Sequence, residues 1–552
     1  MTRRFFKQVL GCGCLMLGFV NPVLAAPIDL ARPTVIQALK HDVSLPLREL
    51  ARLSPLLNNF PEIPNQPLDK VREAIKREDN PAVQQPDAVL QDRPGSLQIP
   101  NPILNFDGIS NVNGVLPPDS NGAVGLNHYF QWVNLSFAIY NKSGTRLVGP
   151  AAGSSLWSGF GGPCQTSNDG DPVALYDHLA DRWMVSQFAL PNFPVGPYYQ
   201  CIAVSTTGDP TGTYYRYAFT VSNNKLNDYP KLGIWPDGYY MTANQFRNGV
   251  SFAGAGVWSF EREKMLQGLP AQLVYFDLER VNPNFGGILP ADLDGPAPPV
   301  GTPNYFAEVD DAAFGFPMDQ LALWEFRVDW TDPTRSTFGL AGQPNQLLTP
   351  ATGLAAFDAN LCNGNRNCIP QAGTTRRLDA IADRLLYRLQ YRNFGTHQAM
   401  VLNHTVDATG TDLAGIRWYE LRNTGGGWSI FQQSTFAPSR LNRWMGSIAM
   451  DGSGNIGLGY SASSSRIFPS IGYTGRLSTD PLGTLQAENI LIRGGGAQTS
   501  SSSRWGDYST LTVDPSDNCT FWYTTEYYAQ TSAAGWRTRI GTFRFPSCTG
   551  AP

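Results

Sequence analysis

Carboxylates, arginines and tryptophans stand at recurring places in this chain, each just ahead of a predicted strand. Asp119 lies in PPDSNG, Asp169 and Asp171 in NDGDP, Asp228 and Tyr229 in NDYP, and Asp379 in RLDA. Arg443 and Trp444 open RWMGS, and Arg504, Trp505 and Asp507 lie in RWGDYS. Gathered on one face, such residues suit a sugar. Aromatic rings stack on its faces, carboxylates accept its hydroxyls, and arginines hold an acidic substituent. A carboxylate pair such as Asp171 with Asp228 or Asp507 would also supply the groups for glycoside cleavage, with Arg443 or Arg504 on an acidic sugar. The plainer reading is structural. An aspartate repeated at strand starts can bond loop N–H groups, and repetition is what a scaffold needs to pin its units together.

Other chemistries are poorly served. Residues 452–457, GSGNIG, match a dinucleotide-binding pattern, but a strand and not a helix follows them, which makes them a hairpin turn. Residues 222–225, SNNK, lie in a polar loop. Among the five histidines, His128 and His178 fall at hairpin turns, while His397 and His404 would face opposite sides of one strand. No histidine metal centre is expected. Asp451, Ser453 and Asn455, and again Asp514, Ser516 and Asn518, alternate through loops in a way that suits calcium, although the same residues build plain turns. The expected cofactor complement is none, with calcium the remaining option.

The elements that must position these residues recur. A hairpin of apolar strand, polar turn and aromatic-rich strand starts near residues 123, 173, 231, 287, 384, 446 and 508. Its turns carry Pro-Asp-Gly, Gly-Ser-Gly-Asn and Asp-Pro-Ser-Asp-Asn, which reverse a chain tightly. A second strand pair follows each, as in 136–148 and 415–431. Hairpin plus second pair makes a four-stranded unit, and seven units predict an all-β, seven-bladed β-propeller over 101–552, with an insertion at about 338–379. The last unit lacks a fourth strand, and residues 103–109, ILNFDGI, are the natural donor. A string of β-sandwiches is the competing fold, but the repeat is too short for one sandwich of about 100 residues.

Residues 26–100 differ: they are proline-rich and read as an irregular extension with short helices near 33–40, capped by Thr34, and near 68–77. Residues 1–25 read as an export signal, with Arg3, Arg4 and Lys7 ahead of the apolar stretch 9–20. Removing those three basic residues from 41 leaves 38 against 45 acidic ones, which argues against a nucleic-acid partner. No later segment suits a membrane span. Six cysteines remain, an even number that suggests disulfides in an exported chain, and sequence proximity favours Cys164 with Cys201, Cys362 with Cys368, and Cys519 with Cys548.

The stretches CQTSNDGDPVALYDHLADRW, LDAIADRLLYRLQYRNFGTHQAMVLNHTV, RWMGSIAMDGSGNIGLGYS and RWGDYSTLTVDPSDNCTFWYTTEYY resemble a widespread, largely uncharacterised group of secreted bacterial proteins with a propeller-like architecture. The resemblance implies export and fold, and brings no reaction or catalytic residues. The sequence therefore points to a monomeric binding protein, secreted or periplasmic, that takes an extracellular glycan, peptide or surface protein on its axial face. A glycan-active hydrolase or lyase is the alternative.

Overall fold

The computed structural model describes residues 31–53 and 85–550. The export-signal segment 1–25 and the helical pattern at 68–77 lie outside them. The described chain is all-β in its main body, and each of the seven expected hairpins forms as an antiparallel pair.

The sheets do not form the seven separate four-stranded blades of the expected propeller. The strands of the described residues make six sheets, and none closes on itself. The first sheet runs from Asn121–Val124 to Arg146–Ala152, and the fifth from Asn442–Met450 to Asn489–Ile492, four strands each. The second and third have five strands, and the fourth has ten. The ten-stranded sheet arises because Ala291 to Asp294 pair in parallel with Leu389 to Arg392, joining the fourth and fifth hairpin units through their first strands. A repeat in sequence predicts hairpins, whose partners are local. It does not predict lateral pairing between units.

The residues before 100 are woven into sheet edges. Thr34–Gln37 pairs with Gln272 to Tyr275 and Lys40–Val43 pairs with Tyr215 to Ala218, so the helix expected at 33–40 is two strands, and Thr34 begins one of them. An apolar edge with unmet backbone groups outweighs weak helical periodicity. A short helix follows at Leu47–Leu53, its Leu47 and Leu50 buried. The donor strand is found where the missing fourth strand predicts it: Leu104–Ser110 pairs antiparallel with Trp536–Phe543.

First strands of successive units pack side by side, and Thr510–Val513 returns to Asn121–Val124. Between most of them polar side chains replace a backbone ladder. Asn121 accepts from the Ala174 N–H (2.7 Å), Asp292 from Ile234 (2.9 Å), Gln390 from Met450 (2.6 Å) and Ser447 from Leu511 (2.9 Å). Each bond satisfies a buried donor that would otherwise cost about 1–3 kcal/mol. Outside this circuit the sheets meet through aromatic cores. The alternation Gly457, Gly459 is required there, because a Cβ on Gly459 would stand 2.5 Å from the Tyr523 ring and one on Gly457 2.9 Å from Phe521.

All three cysteine pairs are bonded as expected. Cys164–Cys201 closes a loop of 37 residues between two fully buried positions. Replacing both by serine should cost about 4 kcal/mol from loop entropy alone. Urea unfolding under oxidising conditions measures this as a lowered midpoint.

Candidate functional site

At the head of each first strand the backbone passes through the left-handed region. The residues are Asp119 (φ 47°), Asp171 (46°), Tyr229 (58°), Gly287 (71°), Ile381 (44°), Met445 (55°) and Asp507 (57°). Only one of the seven is glycine. A non-glycine residue held there costs on the order of 1–3 kcal/mol, and a β-branched one such as Ile381 is a genuine outlier. Bonds across the circuit hold the strain. Asp119 N–H donates to Gly506 O (3.1 Å), Tyr229 N–H to Asp171 Oδ2 (2.8 Å), Tyr508 Oη to the same oxygen (3.1 Å), and Tyr229 Oη to Asp507 O (2.9 Å). The first strand of the third unit also slips register between Asp228 and Lys231, a bulge that leaves Tyr229 and Pro230 out of the ladder.

These kinks bring Asp119, Asp171, Asp228, Tyr229 and Asp507 of the sequence reading together. Arg504 joins them, pairing with Asp507 at 2.6 Å. Sequence reasoning missed four members. Lys231 is fully buried, its Nζ 3.1 Å from the Tyr229 ring centre and 3.3 Å from that of Tyr508. Arg384 lies 5.0 Å from the Tyr229 ring and grips Asp383 at 2.8 and 3.0 Å. Glu526, also fully buried, accepts from Gly506 N–H through one oxygen and has no partner for the other. Tyr508 was in view within RWGDYS, and Arg384 within LDAIADR. Lys231 and Glu526 carried no signal, since a charged residue in a strand reads as solvent-facing.

Other expected members stand apart. Arg443 is buried and held by Glu488 at 2.5 and 2.9 Å within its own sheet, so it is corrected from the ligand face to a sheet anchor. Trp444 and Trp505 are fully buried against each other in the core, with rings 5.8 Å apart, and present no face to a sugar. Asp169 is spent on the Leu190 N–H (2.6 Å). Asp379 bonds the Ile381 N–H (3.0 Å) and approaches Arg366 (3.4 Å). Asp451 and Asp514 serve their own turns, and Asp514 also takes Lys142 at 2.7 Å.

Carboxyls outnumber cations in the cluster, and burial settles how their protons sit. Asp228 is pushed up to about 8 by burial, with Asp171 adding to the rise and Arg504 opposing it. Burial also raises Asp119, Asp171 and Glu526, and lowers Lys231 against the pull of Asp171 and Asp119. Asp379 is raised to about 6 by burial. Asp228 is half-buried, and its carboxyl makes no hydrogen bond among the described residues. Asp119 and Asp507 each keep one oxygen without a partner, as does the Arg504 Nε.

The sign of the pH effect follows. An unfolded aspartate loses its proton near pH 4, whereas the folded Asp228 keeps it to about 8. Between those values the folded state binds more protons, so stability falls as pH rises through that window and levels off above it. Asp228→Asn should flatten part of that slope, read from denaturant unfolding at a series of pH values.

No family model matches the chain, and no curated protein does. Solved structures similar to it include the Hadza microbial sialidase Hz136 (10% identity, 77% of this chain and 74% of that one, TM-score 0.36). The polysaccharide lyase Uly1 is another, at 8% identity over 78% and 91% of the two chains, with TM-score 0.38. A PL25-Ulvanlyase shares 11% identity over 82% and 95%, with TM-score 0.35. Likeness at this level assigns no chemistry.

Proposed function

We propose that this chain is an exported, glycan-directed protein that holds an acidic sugar at the charged head of its first strands and cleaves it by acid–base chemistry. The observation that carries the reading is Asp228, a half-buried carboxyl with no hydrogen bond among the described residues that keeps its proton to about pH 8. Such a group can donate a proton to a glycosidic oxygen at neutral pH. Asp171 is the neighbouring carboxyl, fixed by Tyr229 N–H and Tyr508 Oη. Arg384 and Arg504 stand beside them for an acidic substituent. A purely structural cluster would have each aspartate consumed by loop N–H groups, as Asp169 is, and Asp228 is not. Three disulfides support export.

A glycan array followed by a release assay on each hit tests this. The reading expects uronate-bearing, sialylated or sulfated glycans among the hits, and soluble fragments released from them. Retention without release would return the chain to a binding protein. Hits confined to neutral glycans would remove the role given to the arginines.

A further inference from the structure

We propose a second site, at the opposite end of the first strands, for a small oxyanion such as a carboxylate or sulfate group. A cavity of about 400 Å³ lies there, between the ends of the first strands of several units. Leu126, Leu175, Pro296 and Val513 make its walls apolar, and Arg388 and Arg392 line it together with Asp292 and Asp294. Walls of this kind around a few convergent polar groups are the usual make-up of a small-ligand site.

The arginines differ in what they are already doing. Arg388 engages a carboxylate with each of its three nitrogens, Nε to Asp292 (2.5 Å) and Nη1 and Nη2 to Asp294 (2.6 and 2.9 Å). Arg392, only 2% exposed, makes one long contact, Nη1 to Asn518 at 3.4 Å. Among the described residues its Nε and Nη2 have no acceptor, and neither has Thr512 Oγ1, which lines the same cavity. Nε and Nη2 form one edge of the guanidinium, the fork that meets two oxygens of an oxyanion side by side.

Nearby carboxylates are spoken for. Asp294 is taken by Arg388 and by Gln390, and Asp451 by Ser453 N–H, Asn455 N–H and Asn455 Nδ2 at 2.8, 2.9 and 2.8 Å. Gly295 makes room for the guanidinium. Its φ is +72°, and a Cβ there would stand 2.6 Å from Arg392 Nη1. Nε and Nη2 are themselves covered, so engagement turns the guanidinium toward the cavity about its flexible stem. Buried cationic donors without acceptors are costly, and an oxyanion supplies what they lack.

Titration calorimetry on the full chain, at constant ionic strength set with chloride, tests the site with sulfate, glucuronate and a sulfated disaccharide. The free and sugar-borne probes distinguish a free ion from a group carried on a glycan. Arg392→Gln should weaken binding of at least one probe tenfold or more. Leu126→Trp, at the 42% exposed rim of the cavity, should weaken it similarly by obstruction. Unchanged affinity in a folded Arg392→Gln overturns the proposal. If that variant does not fold, unchanged affinity in Leu126→Trp overturns it. Loss of all oxyanion binding in Arg384→Gln with none in Arg392→Gln places the anion at the other end and also overturns it.

Discussion

Asp228→Asn is expected to lower glycan release by about a hundredfold or more, the usual contribution of a general acid, while leaving the melting temperature unchanged or raised. The two outcomes are linked by one cause. Burial makes the charged carboxylate unfavourable, which is why the proton stays on to about pH 8. An amide has the same shape and no charge to desolvate, so the fold loses nothing, while the transferable proton is gone. The wild-type rate should also fall as pH rises through about 8, where Asp228 gives up its proton. A rate profile from pH 5 to 10 on the best array hit, beside thermal unfolding of both proteins, checks this. A variant that loses stability and activity together would make Asp228 a scaffold residue.

The largest loss of stability is expected at Asp87. Its side chain and that of Arg417 are both completely covered, and Arg417 Nη1 meets the two carboxylate oxygens at 2.9 and 2.8 Å. Thr435 Oγ1 donates to the same carboxylate (2.7 Å). Arg417 Nη2 reaches Ala355 O (2.7 Å) and Gln433 Oε1 (3.0 Å). One guanidinium therefore ties the segment before residue 100 and the insertion after 338 to the ten-stranded sheet. Asp87→Ala leaves a buried charge without its counter-ion and should cost about 3–5 kcal/mol. Adding Arg417→Met should recover part of that loss, because the pair's own desolvation cost disappears with it. Denaturant unfolding of the three variants measures both effects. Equal loss in the single and double variants would mean that packing around Arg417, not its charge, is what matters.

The hairpins were legible because their turn residues and alternating strands act locally. The donor strand at Leu104–Ser110 was legible from a deficit, a last unit one strand short of its siblings. The parallel pairing of Ala291 to Asp294 with Leu389 to Arg392 was not, since it depends on how closely two units approach. The strands at Thr34–Gln37 and Lys40–Val43 were misread as a helix because the sheet edges that capture them lie far along the chain. At the site, the repeated aspartates led to the right place. The tryptophans misled, because the left-handed kinks at Met445 and Asp507 follow them and leave both rings in the core. Lys231 was invisible for a related reason: Tyr229 beside it is local, but Tyr508 and Asp171 come from other units and only folding brings them there.

The charged head of the first strands is proposed to cleave an acidic glycan through Asp228. Incubating the protein with a panel of acidic polysaccharides, and assaying both new reducing ends and the ultraviolet absorbance of unsaturated uronates, tests it most directly. Time-dependent release by the wild-type chain and at least a hundredfold less by a fully folded Asp228→Asn is the expected result. Release at equal rates by both, or none from any member of the panel, would contradict it.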